Sequence, residues 1–203
     1  SAPADSAPAA SAASAAPVAL VEGLNYTTLS TPIPQQQAGK VEVLEFFGYF
    51  CPHCAHLEPV LSKHVKTFKD DTYLRTEHVV WMPEMLGLAR VAAAVNASGL
   101  KYQANPAIFK AVHEQKINLA DTATFKSWAA AQKSFDSKKL IAAYDAPASL
   151  VAAKKMQSLT ETYRIDGTPD VIVGGKYRVI FSSDWANGQK IIGELINKVR
   201  QER

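Results

Sequence analysis

The stretch Val41-Glu-Val-Leu-Glu-Phe-Phe-Gly-Tyr-Phe-Cys51-Pro-His-Cys54 decides how the rest of the chain is read. It begins as a run rich in β-branched and aromatic residues and ends in a Cys-x-x-Cys. After Cys54 the period changes: Leu57, Val60, Leu61, His64, Val65 and Phe68 recur at helical spacing. The motif therefore falls where a buried strand hands over to the first turn of a helix. Cys51 and Cys54 are the only 2 cysteines of the 203 residues, and both lie in this one turn. Redox chemistry is the first expectation.

Working outward toward the N-terminus, Gln35 to Lys40 reads as a loop and Asn25 to Thr31 as a first strand, ended by Pro32 and Pro34. Residues 1–22 read as a Ser/Ala/Pro-rich disordered spacer. Up to about Pro17 they hold no large apolar side chain whose burial could offset the entropy of ordering. Such a spacer suits a domain standing off a surface, and a lipid-modified N-terminal cysteine preceding this sequence would tether it. The sequence opens with neither Met nor a signal peptide, so a processed or trimmed chain is expected.

Working toward the C-terminus, a helix is predicted from about Pro52 to Lys69, with a kink or break near Glu58 because Pro59 lies inside it. Tyr73–Trp81 returns as a strand, completing a βαβ unit. Residues 83–164 change character to Ala-rich helices. Gly99 ends one, Asn105-Pro106 starts a short one as cap and first turn, Asp121 and Asp136 cap two more, and Pro147 opens the last. Then Val171–Val173, Gly174-Gly175 and Lys176–Phe181 make a hairpin, and a final helix starts near Asp184. The expected architecture is α/β: residues 23–82 and 165–203 form one domain and residues 83–164 a helical insertion.

Bulk composition narrows the function classes. A net charge of +3, from 22 basic and 19 acidic residues, gives no basic footprint for nucleic acid. No apolar run reaches the roughly 18 residues of a membrane span. With 47% hydrophobic residues the core needs no disulfide staple. A purely structural Cys51–Cys54 bond would in any case close too short a loop to remove much chain entropy.

The chemistry follows from the helix start. Pro52 fits the first helical position, where its missing N–H costs nothing. Cys51 then sits at the cap, facing the unpaired N–H groups of the first turn, and these with the helix dipole favour a thiolate. His53 adds a donor that can be cationic, and Cys54, one turn deeper, is the buried partner. A stabilised Cys51 thiolate is a good leaving group and favours the dithiol over the disulfide, so the protein tends to pass its disulfide to substrate thiols. Each tenfold step in that direction is about 30 mV, or roughly 1.4 kcal/mol. A zinc site made from Cys51, His53, Cys54 and His56 is the other reading of the motif, but four ligands in a turn and a half cannot converge on one ion. His56, His64, His78 and His113 are expected to be surface or packing residues.

On these residues the chain resembles the DsbA family of thiol–disulfide oxidoreductases. The matching pieces are Glu45-Phe-Phe-Gly-Tyr-Phe-Cys51-Pro-His-Cys54, Glu77-His78-Val79-Val80, Gly167-Thr168-Pro169, and Val171–Val173 with Gly175-Lys176-Tyr177. The resemblance implies a thioredoxin fold with an inserted helical domain and a periplasmic location. It implies donation of a disulfide to folding cysteine-containing proteins, reoxidation by a DsbB-type membrane partner, and action as a monomer with no cofactor beyond the Cys51–Cys54 pair. The family is itself the standard instance of a depressed cysteine pKa and a strongly oxidising dithiol. The resemblance also implies that Thr168–Pro169 is cis and faces Cys51; on the sequence alone a trans turn is the default.

Two positions depart from the family pattern. Thr168 stands where many members have valine, placing a hydroxyl beside Cys51. Glu45 matches a buried acid below the site, but its usual lysine partner is replaced by Thr76, so Glu45 is expected to be a proton relay without a cation. Two further readings stay open: a reductase or isomerase on the same fold, and a peptide-binding chaperone whose cysteines are incidental.

Overall fold

A computed structural model describes residues 17–203; the first 16 residues of the expected spacer lie outside the described residues. Val18 and Leu20, counted with that spacer, pack against the sheet core, so packed chain begins ahead of Gly23. Strand β1 is Tyr26–Thr28, shorter than expected, and β2 is Val41–Phe47. Every residue of β2 is buried, including Glu42 and Glu45, as fits a central strand covered on both faces.

Helix α1 spans Pro52–Val65 and is not broken at Pro59. Strand β3 is Thr72–His78, ending before Trp81. A 3₁₀ turn at Pro83–Met85 then leads into five helices: α2 (Leu86–Ser98), α3 (Lys101–His113), α4 (Thr122–Ala131), α5 (Ser137–Asp145) and α6 (Pro147–Thr162). Their punctuation is mostly what side-chain chemistry dictates. Gly99 closes α2 at φ 71°, a conformation cheap only for glycine. Asp121 and Asp136 accept from the N–H groups of Thr124 and Lys139. The chain returns as β4 (Asp170–Val173) and β5 (Tyr177–Val179), joined through Gly174 and Gly175 at φ 65° and 73°, before α7 (Trp185–Gln201). A Cβ at Gly175 would lie 2.1 Å from the Ile33 carbonyl oxygen, so this turn admits no side chain.

One expected boundary is wrong in an informative way. Asn105-Pro106 does not start a helix but sits inside α3, which begins at Lys101. Asn105 is buried and its amide is spent on tertiary hydrogen bonds rather than a cap. Those contacts outweigh the local preference that Pro106 expresses.

The sheet order is β1-β5-β4-β2-β3, antiparallel except for the β2–β3 pair. One sheet face packs on α1 and α7 through Val41, Val43, Leu57, Leu61, Ile191 and Leu195. The second face carries Leu44, Phe46 and Ile172 against Val79 and Ile165. Cys51 and Cys54 belong to neither of these clusters. They lie in the core shared with the helical elements, among Tyr49, Ala89, Ile108 and Phe109. The motif thus occupies the seam between sheet and helices.

Candidate active site

Strand β2 ends at Phe47, and four residues later Cys51 takes an extended cap conformation, φ −86° and ψ 115°, at the head of α1. Pro52 occupies the first turn as expected. The Cys54 N–H donates to Cys51 Sγ at 3.2 Å, and the Cys51 N–H to the Gly48 carbonyl at 3.0 Å. Both cysteines are free thiols, Cys51 with 5% of its surface exposed and Cys54 with none.

The rim of the site comes from β4. The register pairs Phe46 with Asp170, so the two residues before β4 lie alongside the chain leaving β2. These are Thr168 and Pro169, joined by a cis peptide bond. The Cys51 thiol donates to the Thr168 carbonyl at 3.6 Å. Around it, Phe50 sits edge-on to Trp81 with centroids 5.7 Å apart, and the His53 ring lies 5.8 Å from Trp185. His53 acts on the sulfur through its backbone N–H, while its ring faces Trp185.

Behind Cys54 the surroundings are polar but closed. Tyr49 Oη donates to Asn105 Oδ1 at 2.7 Å, and Asn105 Nδ2 donates to Glu58 Oε1 at 3.0 Å. The Tyr49 N–H donates to His78 Nε2 at 3.0 Å, leaving Nδ1 to donate to the Val79 carbonyl at 2.7 Å. That pattern needs a neutral imidazole, and burial lowers the His78 pKa to about 4. His113 Nε2 meets the Tyr49 carbonyl at 2.6 Å from the far side. Glu45 is buried across from Thr76 on β3.

The electrostatics separate the two sulfurs. A hydrogen bond from the Cys54 thiol is the largest influence on Cys51; Thr168 and the N–H groups of Cys54 and His53 add to it against burial, lowering the Cys51 pKa to about 5. Cys54 is pushed up far beyond the ordinary thiol range by its bond to Cys51, by burial and by Glu45. Glu45 is raised well above the usual carboxylate range by burial and by Glu58, with Lys101 opposing. Glu58 is raised by burial, against Asn105 and Lys101.

All seven residues expected at the site, Glu45, Cys51, Pro52, His53, Cys54, Thr168 and Pro169, come together around one helix start. Thr76 stands opposite Glu45, where the lysine was sought, and the Lys101 charge on α3 opposes the upward push on the Glu45 carboxyl. Glu58, Tyr49, Asn105 and His78 also join the site and were not expected there. Glu58 could have been found, since it lies one turn after Cys54 on the same helix. Among the described residues no group of three or more His, Cys, Asp and Glu side chains is arranged to hold a metal ion.

Comparison with known proteins adds a separate line of argument. The sequence pattern of the DSBA-like thioredoxin domain matches residues 42–192. The chain is 32% identical to the thiol:disulfide interchange protein DsbA of Bordetella parapertussis over 190 residues, covering 92% of this chain and 90% of that protein. It is 31% identical to that of Burkholderia cepacia over 198 residues, covering 96% and 93%. Among solved structures, the reduced DsbA1 of Neisseria meningitidis superposes with a TM-score of 0.88 at 64% identity, covering 92% and 98% of the two chains.

Proposed function

This chain belongs to the DSBA-like thioredoxin domain family and is a thiol–disulfide oxidoreductase with a thioredoxin fold, and from that premise we propose that it oxidises substrate dithiols through Cys51. The carrying observation is the unlike placement of two sulfurs three residues apart: Cys51 sits at the helix cap and accepts from the Cys54 N–H at 3.2 Å, which lowers its pKa, while Cys54 is wholly buried, which raises its own.

A substrate thiolate attacks Cys51 Sγ of the Cys51–Cys54 disulfide. The S–S bond breaks, its electron pair leaves on Cys54, and Cys54 takes a proton, for which Glu45, the buried carboxyl that acts on that sulfur, is the donor in this reading. A second substrate thiolate then attacks the substrate sulfur of the mixed disulfide, and Cys51 departs as a thiolate. The substrate loses two electrons and the protein disulfide gains them. Thr168 lies against the attacked sulfur, and Trp81, 40% exposed and packed edge-on to Phe50, offers apolar contact at the rim. Such a surface suits unfolded, cysteine-containing chains.

A disulfide so readily given away persists only in an oxidising compartment, which supports periplasmic action and a quinone-linked membrane partner of the DsbB type as reoxidant. A lipid tether ahead of residue 1 is part of the same reading; fractionation of the native protein into a wholly soluble pool would reject it. The deciding measurement is the equilibrium of the Cys51–Cys54 pair with glutathione. We expect an oxidising couple, and a potential as low as thioredoxin's would establish a reductase instead.

A further inference from the structure

Helices α1 and α3 meet at a buried polar contact, where Asn105 Nδ2 donates to Glu58 Oε1 at 3.0 Å. Above it a groove of about 720 Å³ stays open between them. Helix α3 runs back toward the redox turn: its last residue, His113, meets the Tyr49 carbonyl, while Asn105, two turns earlier, meets Glu58. The groove therefore starts at Pro52, next to Cys51, and extends along α1 to Lys63 and Lys66. None of its lining belongs to the rim made by Phe50, Trp81 and Thr168.

Its walls are apolar and open to solvent. Pro59 of α1 and Pro106 and Tyr102 of α3 are all exposed. Both prolines lie inside their helices. Neither can donate to the carbonyl one turn earlier, which costs a helix stability. Those carbonyls belong to Ala55 and Tyr102, and both residues line the groove. Each wall thus sets a backbone acceptor without its helical donor beside a stiff apolar surface. The rim is cationic. Lys63, Lys66 and Lys110 line the groove, are exposed, and take part in no ion pair among the described residues. The two lysines of α1 stand at its C-terminal end, where the helix dipole favours a cation. Of the lining carboxyls, Glu58 is turned down onto Asn105, and Glu114 follows His113 at the redox end. The uncompensated positive charge is therefore at the far end.

From Pro52 to Lys66, α1 rises about 20 Å, the length of about six extended residues. An acyl chain brings no donor to the two carbonyls, whereas an extended peptide brings an N–H at nearly every residue. We propose that the groove between α1 and α3 is a substrate-recognition site for an acidic, extended peptide segment attached to the cysteine that attacks Cys51. This rests on the oxidoreductase reading above and adds a substrate class. The favoured chains carry carboxylates about five or six residues from the reacting cysteine, with apolar side chains between to cover Pro59, Pro106 and Tyr102.

The test is the second-order rate at which the disulfide form of the protein oxidises synthetic dithiol peptides. One carries an Asp-Glu pair about five to six residues before or after the attacking cysteine, and its control carries Lys-Lys there. At low ionic strength the acidic peptide is expected to react at least about fivefold faster on one of the two sides. Lys63→Gln combined with Lys66→Gln should bring that ratio close to one. A general loss of activity cancels, because both peptides are read on the same protein. Should the double variant fail to fold, the parent decides: about 1 M salt should also collapse the ratio. Equal rates in the parent, or a ratio that ignores both the substitutions and salt, overturns the proposal. A cysteine-free acidic peptide should shift the amide NMR signals of Lys63, Lys66, Tyr102 and Lys110, and shifts confined to the Thr168–Trp81 rim would overturn it too. Sedimentation with phosphatidylglycerol vesicles that needs the same lysines, without any peptide preference, would assign the groove to a membrane instead. A reducing glutathione equilibrium would sink the oxidase reading and leave the cysteine-free peptide's binding untouched, so the two failures are distinct.

Discussion

The front and the back of Cys51-Pro-His-Cys54 are built by opposite rules. In front, Cys51 meets donors: the Cys54 thiol, Thr168, and the N–H groups of Cys54 and His53. Behind, Cys54 meets closed packing and a carboxyl of its own sign of charge, Glu45. The two sulfurs are chemically identical and one helical turn apart. A charge is welcome only at the end of the turn where orphan N–H groups point. That asymmetry gives disulfide exchange its direction, because it fixes which sulfur is attacked and which must be protonated.

The comparison breaks first, and most visibly, in alkylation. At pH 6 a thiol with a midpoint of about 5 is almost wholly thiolate, whereas an ordinary thiol is so to less than about 1%. Cys54→Ser should therefore react with iodoacetamide at close to the parent rate. Cys51→Ser, left with the buried sulfur, should be slower by more than about a hundredfold. Similar rates for the two variants would show that front and back do not differ.

The second break is thermodynamic. The Cys51 pKa is lowered on folding, from an ordinary thiol value to about 5, so the unfolded reduced chain binds the proton that the folded one has released. Stability of the reduced form then rises with pH across that window, is complete above the unfolded value, and is lost as the pH falls through about 5. The oxidised form has no such proton. Melting followed by circular dichroism should find the reduced protein the more stable at pH 7, with this contribution to the difference gone below pH 5. A difference that stays flat with pH would place the thiolate stabilisation elsewhere.

The front was legible in the sequence and the back was not, for a physical reason. The front is local: cap, first-turn proline and the two cysteines lie within four consecutive residues, and helix-start chemistry reads them directly. Thr168 needed the family resemblance, since it lies 117 residues from Cys51. The back is assembled from β2, α1, β3 and α3, and no spacing along the chain announces that Asn105 meets Glu58. Local signals even misled there, because Asn105-Pro106 carries the marks of a helix start while its amide serves the core. The cap residues Asp121, Asp136 and Asp184 were readable by contrast, each being decided within a few residues.

The back can be probed alone. Asn105→Ala removes the donor to Glu58 and the acceptor of Tyr49 Oη, leaving both in a closed space. A cost of about 1–3 kcal/mol in denaturant unfolding is expected, the usual penalty for buried groups stripped of their partner. The Cys51 thiolate absorbance midpoint should hardly move, since Asn105 does not touch that sulfur. A shift there as large as the stability loss would mean that front and back are one network.

The finest distinction is drawn by Thr168→Val, which deletes the hydroxyl and keeps the backbone carbonyl that meets Cys51 Sγ at 3.6 Å. The hydroxyl is one of several donors stabilising the thiolate, ranking behind the Cys54 thiol. Its loss should raise the Cys51 midpoint by less than about one pH unit, because the helix-end N–H groups remain. The same change weakens the leaving group, so the glutathione equilibrium should move toward a less oxidising couple by under about 30 mV. An unchanged midpoint would assign the stabilisation of the thiolate to the Cys54 thiol and the helix-end N–H groups alone. A much larger shift would make this one hydroxyl, rather than the helix start, the main source of the asymmetry between the two sulfurs.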